Sequence, residues 1–182
     1  NNHVLDYGPV GLRDTIATLD AAGIAWFGTR DKHADETEKF FFYEKDGVTV
    51  AFVSLYWEDY LQGNPDGCGA WLSTEIRAIK ECGQADAVVA ILHGGQEYGR
   101  HRTRPQTVFT AMAMKAGADL VICHHAHVVM GMDVIGNRSA LYSLGNFCFG
   151  GNRNAYQLTP RKKNAAQDAA PALVVRAVLT FD

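Results

Sequence analysis

The sequence lacks the features that mark several large classes of protein. Its 182 residues include only four cysteines and no CxxC pair, so neither a zinc ribbon nor a disulfide scaffold is indicated, and we expect buried free thiols. No apolar run approaches the roughly 20 residues that a membrane-spanning helix requires. The formal net charge of -3 gives no global attraction to nucleic acid. We therefore expect no transmembrane segment and no nucleic-acid partner.

The composition that is present fits one globular domain. Hydrophobic residues make up 47% of the chain and charged residues 20%, and a chain of this length can bury one substantial core. We predict a single domain over residues 1–182. The chain starts without Met at Asn1, already inside one of the motifs described below, so we expect that an upstream segment is missing.

Helical and strand patterns alternate along the chain. Apolar residues at helical spacing, closed by a glycine, predict helices, and short apolar runs predict strands. Asp46-Gly47 predicts a tight hairpin turn, and the glycine-rich stretch 57–71 predicts a loop. Together these patterns predict an α/β fold, with helices at 8–22, 73–82 and 105–116 and strands at 24–27, 40–43, 48–55, 87–92, 120–123, 140–144 and 173–181.

Three histidines stand where predicted strands end. His93 follows the strand at 87–92, and His125 and His127 follow the strand at 120–123. Because open α/β sheets bind ligands at the carboxyl ends of their strands, we predict that the three imidazoles converge there on a metal ion. His125 and His127 are two residues apart and would face the same side in extended backbone. Each histidine alone could equally be an ordinary surface or core residue.

Residues near these histidines supply further candidate groups. Gly94 and Gly95 let the backbone turn sharply and approach a ligand closely, although two glycines could equally form a plain turn. Near the start of the chain, Asn2 offers an amide oxygen that can bind a hard metal ion. His3 beside it offers an imidazole that can donate a proton or stabilise developing negative charge.

Four ordered motifs resemble the signatures of a known family. They occupy residues 1–8, 93–98, 124–128 and 142–147, with the sequences NNHVLDYG, HGGQEY, HHAHV and YSLGNF. This pattern resembles the CapA, or poly-γ-glutamate capsule biosynthesis, family. The resemblance implies a calcineurin-like metallophosphatase fold, an α-β-β-α sandwich that is incomplete here at its amino terminus, with a dinuclear metal centre at the sheet edges.

The resemblance also implies a role for each matching residue. Asn2, His93 and His125 match three ligands of one metal, and His127 matches a ligand of its neighbour. His3 matches the histidine that stabilises the transition state or protonates the leaving group. The acidic ligands that precede the Asn-His motif in metallophosphatases are absent, which leaves the second metal with His127 alone. The implied cofactors are divalent ions, two in the full-length protein, with Mn, Fe or Zn as candidates.

Other polar residues of the motifs are candidates for substrate binding or for supporting the ligands. Glu97 and Tyr98 could orient a histidine or touch substrate, or could be a solvated glutamate beside a buried tyrosine. His124 would point away from the other two histidines in extended backbone and is more simply structural. Asn146 could line the pocket, although Gly-Asn also forms turns.

An arginine-rich stretch follows the His93 motif. Its side chains could form a rim that attracts a polyanion such as poly-γ-glutamate or a phosphoester. A solvated loop is the simpler alternative. The residues concerned are Arg100, His101, Arg102 and Arg104.

Functions of different classes fit these residues. The first is a metal-dependent hydrolase that cleaves a phosphoester or an amide of an anionic polymer. The second is a non-catalytic component of capsule assembly or export that holds the growing polyanion, with other capsule-synthesis components as partners. A structural domain whose metal site has decayed is the third. From the family, we expect the protein at the cell envelope or the outer face of the cell.

Overall fold

The structure is a computed structural model that describes residues 2–28, 40–57, 65–147, 173–176 and 178. The helices in these ranges are α1 (Gly8–Ala21), α2 (Pro65–Glu81) and α3 (Arg104–Ala116). The strands are β1 (Phe40–Lys45), β2 (Val48–Tyr56), β3 (Ala87–His93), β4 (Leu120–His124), β5 (Met132–Ile135) and β6 (Arg138–Leu141).

These strands form one mixed sheet in the order β1-β2-β3-β4-β6-β5. Strands β2, β3, β4 and β6 are parallel, and β1 and β5 are antiparallel strands at the two edges. The predicted hairpin between β1 and β2 is confirmed, and its turn residues Asp46 and Gly47 have φ values of 53° and 78°. The parallel strands end at one side of the sheet, which we call the carboxyl edge. Tyr56, His93 and His124 end their strands there.

Helices α2 and α3 cover one face of the sheet. Side chains alternate between the two faces along each strand, and those that face the helices are fully or almost fully buried. Each buried leucine or isoleucine in such a core contributes about 2 kcal/mol to stability. The residues that form this core include Ala51, Val53, Leu55, Leu72, Ile76, Val88, Ala90, Leu92, Phe109, Ala113, Val121 and Cys123.

The opposite face carries a smaller apolar cluster and the first of the histidines. Val89, Leu120 and Leu141 are buried on this face, with half-buried apolar neighbours around them. Because side chains alternate along β3, His93 lies on the same face as Val89 and Ile91. The described residues thus form one sheet with α2 and α3 on one of its faces, which is one sheet-and-helix half of the predicted α-β-β-α sandwich.

Helix α2 begins eight residues or more before its predicted start at Ser73, so the loop predicted over 57–71 is wrong in its second half. Two of the glycines that suggested a loop, Gly67 and Gly69, lie inside the helix. A Cβ on Gly69 would be 2.5 Å from the Met112 Cε, so the absence of a side chain there lets α2 approach α3 closely. Pro65 at the first position is compatible with a helix start.

Two predicted strands are not formed as we expected. Residues 24–27 follow α1, but they pair with no strand among the described residues; the Trp26 indole instead donates to the Asp20 carboxylate at 2.8 Å. Residues 173–176 and 178 form no strand either, although Leu173 N–H donates to the Leu144 carbonyl at 2.8 Å. The rest of that predicted strand lies outside the described residues, as does the segment 150–170.

The burial of the cysteines agrees in part with the prediction. Cys68 and Cys123 are buried as predicted, and burial raises the pKa of Cys123 to about 11. The prediction is wrong for Cys82, which is exposed because it follows the last residue of α2. Cys148 lies outside the described residues.

Among the described helices, none combines the length and the apolar character needed to cross a membrane.

Candidate functional site

Backbone hydrogen bonds join the loops that leave the carboxyl edge. Gly94 N–H donates to the His124 carbonyl at 3.3 Å, and Tyr98 N–H donates to the Ala126 carbonyl at 2.8 Å. Similar pairing ties the loop after β4 to the segment that follows β6. The three motifs at residues 93–98, 124–128 and 142–147 therefore form one connected structure at the carboxyl edge.

The side chains of the predicted metal ligands come together in this structure. His93 Nε2 lies 2.9 Å from the Asn2 Oδ1, which joins residues 91 positions apart. The ring centroids of His93 and His125 are 5.1 Å apart, and those of His125 and His127 are 6.2 Å apart. His125 is 8% exposed, so the cluster extends from a buried imidazole toward the surface. The four residues predicted to converge do so.

The two neighbouring histidines converge through a bend and not through extended backbone. His125 has a φ of 96° and His127 a φ of 61°, both in the left-handed region that favours glycine. Tyr98, in the adjoining loop, has a φ of 58°. Three residues with side chains in this region mark a strained site, and such strain is typical of places where a functional geometry is held by the surrounding structure.

The positive φ of His127 predicts that glycine is the more stable substitution there, whereas alanine is usually the more stable of the two. We expect His127→Gly to unfold with a free energy about 1 kcal/mol higher than His127→Ala, because glycine adopts a positive φ without steric cost. The pair His101→Gly and His101→Ala is the control, since His101 is exposed and has no positive φ. Urea unfolding followed by circular dichroism measures both pairs; a His127→Ala variant more stable than His127→Gly would contradict the strain.

Gly94 and Gly95 allow the backbone to approach two buried side chains closely. A Cβ on Gly94 would be 2.6 Å from the Trp57 Cε2, and a Cβ on Gly95 would be 3.1 Å from the side-chain amide carbon of Gln106. Both glycines also have positive φ, 145° and 117°. The backbone directly after His93 therefore passes between a buried indole and a buried amide, and only glycine fits there.

Burial keeps the imidazole at the centre of the cluster neutral. Burial is the largest cause that lowers the pKa of His93, to about 3, and the nearby imidazoles, His125 first among them, lower it further. Burial also lowers the pKa of His124. A neutral imidazole has the lone pair that a metal ligand requires, so His93 at neutral pH is in the form that can bind a metal ion.

His127 is held by residues from two other loops. Its Nδ1 lies 2.7 Å from the Asn146 Oδ1, and its ring stacks on Tyr98 with centroids 5.8 Å apart and an interplanar angle of 29°. Asn146 follows β6 and Tyr98 follows β3, so both neighbouring strands contribute to the position of this ring. Of the alternatives open for these two residues, the structure favours support of a histidine.

The remaining predicted residues near the amino terminus and in the β3 loop have other contacts. His3 is exposed, and its Nδ1 lies 2.8 Å from the Asp6 Oδ2; its catalytic role stays a prediction. Glu97 is exposed, and it raises the pKa of Tyr98 after the larger effect of burial. His124 is half-buried, and its role stays open.

Arg102, one of the residues that could form an arginine rim, pairs with a carboxylate of β5. Its guanidinium donates to the Asp133 carboxylate and lies over the Tyr142 ring, 4.6 Å from the centroid. The Tyr142 hydroxyl donates to the same carboxylate at 3.0 Å. Arg102 thus ties the loop after β3 to strands β5 and β6. It is exposed, as are Arg100, His101 and Arg104.

The donor groups fit one divalent ion in chemical type. Asn2 supplies an amide oxygen, and His93 and His125 supply imidazole nitrogens, a mixed set that first-row divalent metals accept. Across the described ranges, no three His, Cys, Asp or Glu side chains are arranged to hold an ion by themselves. A two-metal centre would need carboxylates beyond this set.

Comparison with known proteins decides the family. The sequence profile described as bacterial capsule synthesis protein PGA_cap matches residues 1–151, which include all four motifs. The chain belongs to this family. The resemblance drawn from the motifs is thereby confirmed.

Two members of the family show the extent of the likeness. Capsule biosynthesis protein CapA of Bacillus anthracis is 31% identical over 82% of this chain. PGA biosynthesis protein CapA of Bacillus subtilis strain 168 is also 31% identical over 82% of this chain. The match covers 38% of the first protein and 41% of the second, so this PGA_cap chain spans about two fifths of their length.

Solved structures support the fold alone. A hypothetical protein from Thermus thermophilus aligns over 73% of this chain and 48% of its own, with a TM-score of 0.53 and 16% identity. A Staphylococcus aureus protein described as a candidate 5′-nucleotidase aligns over 80% of this chain and 31% of its own, with a TM-score of 0.54 and 19% identity. The predicted metallophosphatase-like α/β fold is confirmed.

Proposed function

We propose that this PGA_cap chain carries the metal site of a hydrolase that acts in the synthesis of an anionic capsule polymer at the cell envelope. The observation that carries the proposal is the convergence of the Asn2 amide oxygen with the imidazoles of His93, His125 and His127. These groups come from separate parts of the sequence, and packing alone does not require titratable rings at one edge of a sheet.

Three residues of the cluster, together with His3, have distinct parts in this proposal. The Asn2 amide oxygen and the His93 Nε2 are already within hydrogen-bond distance of each other, and they would hold the ion with the His93 proton on Nδ1. His125 is the third ligand, and its burial limits the approach of water from behind the site. A divalent ion bound there supplies Lewis acidity and a hydroxide nucleophile at neutral pH. His3, in the exposed turn before α1, would protonate the leaving group.

Metal binding is the decisive measurement for this function. We expect His93→Ala and His125→Ala each to weaken the binding of Mn²⁺ or Zn²⁺ by about 100-fold, since loss of a direct ligand should cost at least as much as loss of a supporting residue. Isothermal titration of the metal into chelator-treated protein measures this. His101→Ala is the matched control, because His101 is exposed and outside the cluster. If His93→Ala and His125→Ala bound the metal as tightly as His101→Ala does, the proposed metal site would be contradicted.

Substrate assays then separate hydrolysis from polymer holding. Arg100, His101 and Arg104 are exposed in the segment that follows the His93 motif. This arginine-rich segment favours an anionic substrate, either a phosphodiester or the γ-glutamyl amide of polyglutamate. Hydrolysis of an aryl phosphodiester and of poly-γ-glutamate in the presence of metal distinguishes the two bonds. The same exposed arginines favour the second candidate, a non-catalytic component that holds the polyanion. Polymer binding without metal and without turnover would support that alternative.

A further inference from the structure

The proposed function leaves unexplained the hydrogen bond between His127 and Asn146. Their side chains approach to 2.7 Å across a gap of 19 residues, and both are half-buried. An amide oxygen only accepts hydrogen bonds, so with the Asn146 Oδ1 in this position the proton must be on the Nδ1 of His127. The other ring nitrogen, Nε2, then carries the lone pair.

This tautomer is not the one that an isolated ring prefers. The neutral side chain of histidine in water favours the proton on Nε2, and a specific partner is needed to move it to Nδ1. The stacked Tyr98 ring, 29° from parallel with His127, restricts rotation that would exchange the ring edges. The backbone of His127 is itself held in a left-handed bend. The hydrogen bond, the stacked ring and the backbone bend thus set the orientation of the His127 ring, and the hydrogen bond sets its tautomer.

We propose that Asn146 is a positioning residue that fixes the tautomer and the orientation of His127, so that the Nε2 lone pair is presented to a metal ion. The tautomer follows from the hydrogen bond alone. The metal ion that Nε2 would bind rests on the proposed function. It gives the glycine-asparagine pair of the YSLGNF motif a role beyond that of a turn. Ligand histidines commonly donate their second ring N–H to an oxygen acceptor in this way.

The test uses the metal-free chain first. Long-range proton–nitrogen correlation of protein labelled with ¹⁵N-histidine, recorded at pH 8, reports which nitrogen of His127 carries the proton. We expect the proton on Nδ1 in the unsubstituted chain and in Asn146→Asp, where the carboxylate still accepts. Asn146→Leu and Asn146→Ala remove the acceptor and should shift the proton toward Nε2. Asn137→Leu, in the exposed turn between β5 and β6, is the control and should change nothing.

Metal affinity is the second readout. Asn146→Leu and Asn146→Ala should bind Mn²⁺ or Zn²⁺ about tenfold more weakly than the unsubstituted chain, and Asn146→Asp should restore the affinity. A proton on Nε2 in the unsubstituted chain, or an unchanged tautomer in both acceptor-free variants, would overturn the assignment. If the unsubstituted chain bound no metal while His127 kept its Nδ1 proton, the proposed function would fail and the positioning of His127 by Asn146 would stand.

Discussion

Gly94→Ala should lower the free energy of unfolding by about 4 kcal/mol, the largest effect that we expect from a single added methyl group in this protein. The new Cβ would lie 2.6 to 2.9 Å from three ring atoms of Trp57. This indole is 1% exposed and packs against Phe109 with centroids 5.4 Å apart, so it has no room to move aside. The φ of 145° adds backbone strain that alanine does not tolerate.

Thermal unfolding followed by circular dichroism measures the effect, with an expected fall in melting temperature of about 10 °C for a chain of this size. Gly131→Ala is the matched control, because nothing lies within 4 Å of its added Cβ and its φ is not positive. We expect that variant to unfold within about 0.5 kcal/mol of the unsubstituted chain. A Gly94→Ala protein of unchanged stability would show that Trp57 does not back the turn after His93.

Gln106→Leu should lower the free energy of unfolding by about 3 kcal/mol, although leucine is of similar size and apolar. Gln106 is 0% exposed. Its Oε1 accepts from the Thr103 N–H at 2.8 Å and from the Thr103 hydroxyl at 3.1 Å, and its Nε2 donates to the Tyr142 carbonyl at 3.1 Å. Leucine satisfies none of these groups, so buried polar atoms would be left without their partner.

Gln84→Leu is the control for this substitution, because Gln84 is exposed in the turn after α2. We expect that change to alter the free energy of unfolding by less than about 0.5 kcal/mol. Urea unfolding of both variants gives the comparison. A Gln106→Leu protein as stable as the unsubstituted chain would mean that the hydrogen bonds of this amide contribute nothing net. Because Gln106 also lies against Gly95, we expect its loss to loosen the turn after His93.

The hairpin turn and the ends of two helices could be predicted from local patterns. Asp46-Gly47 identified its hairpin, and the glycines that close α2 and α3 identified where those helices end, because these positions depend on backbone conformation alone. One further signal was present and not used: Thr103 and Gln106 have the spacing of a capping box, which the structure forms at the start of α3. That pattern would have located the buried amide.

Other parts depend on contacts between distant segments. The glycines of α2 predict a loop by composition, and only the close approach of Met112 explains Gly69 inside a helix. Arg102 in an arginine-rich stretch predicts an open cationic rim, whereas its partner Asp133 lies 31 positions further along the chain. No local pattern indicates such a pair, since it arises from the packing of β5 and β6 beside the β3 loop.

The sequence by itself determined most of the helices and strands, the family, the histidines at the ends of strands and the Asn2 amide near the start of the chain, because periodicity, turn chemistry and motif spacing are local properties of a chain. Only the tertiary structure decided that His125 and His127 meet through a left-handed bend, that Trp57 and Gln106 enclose the turn after His93, and that Asn146 holds His127. These contacts join residues from different loops, and their geometry exists only once the parallel strands bring their carboxyl ends to one edge of the sheet.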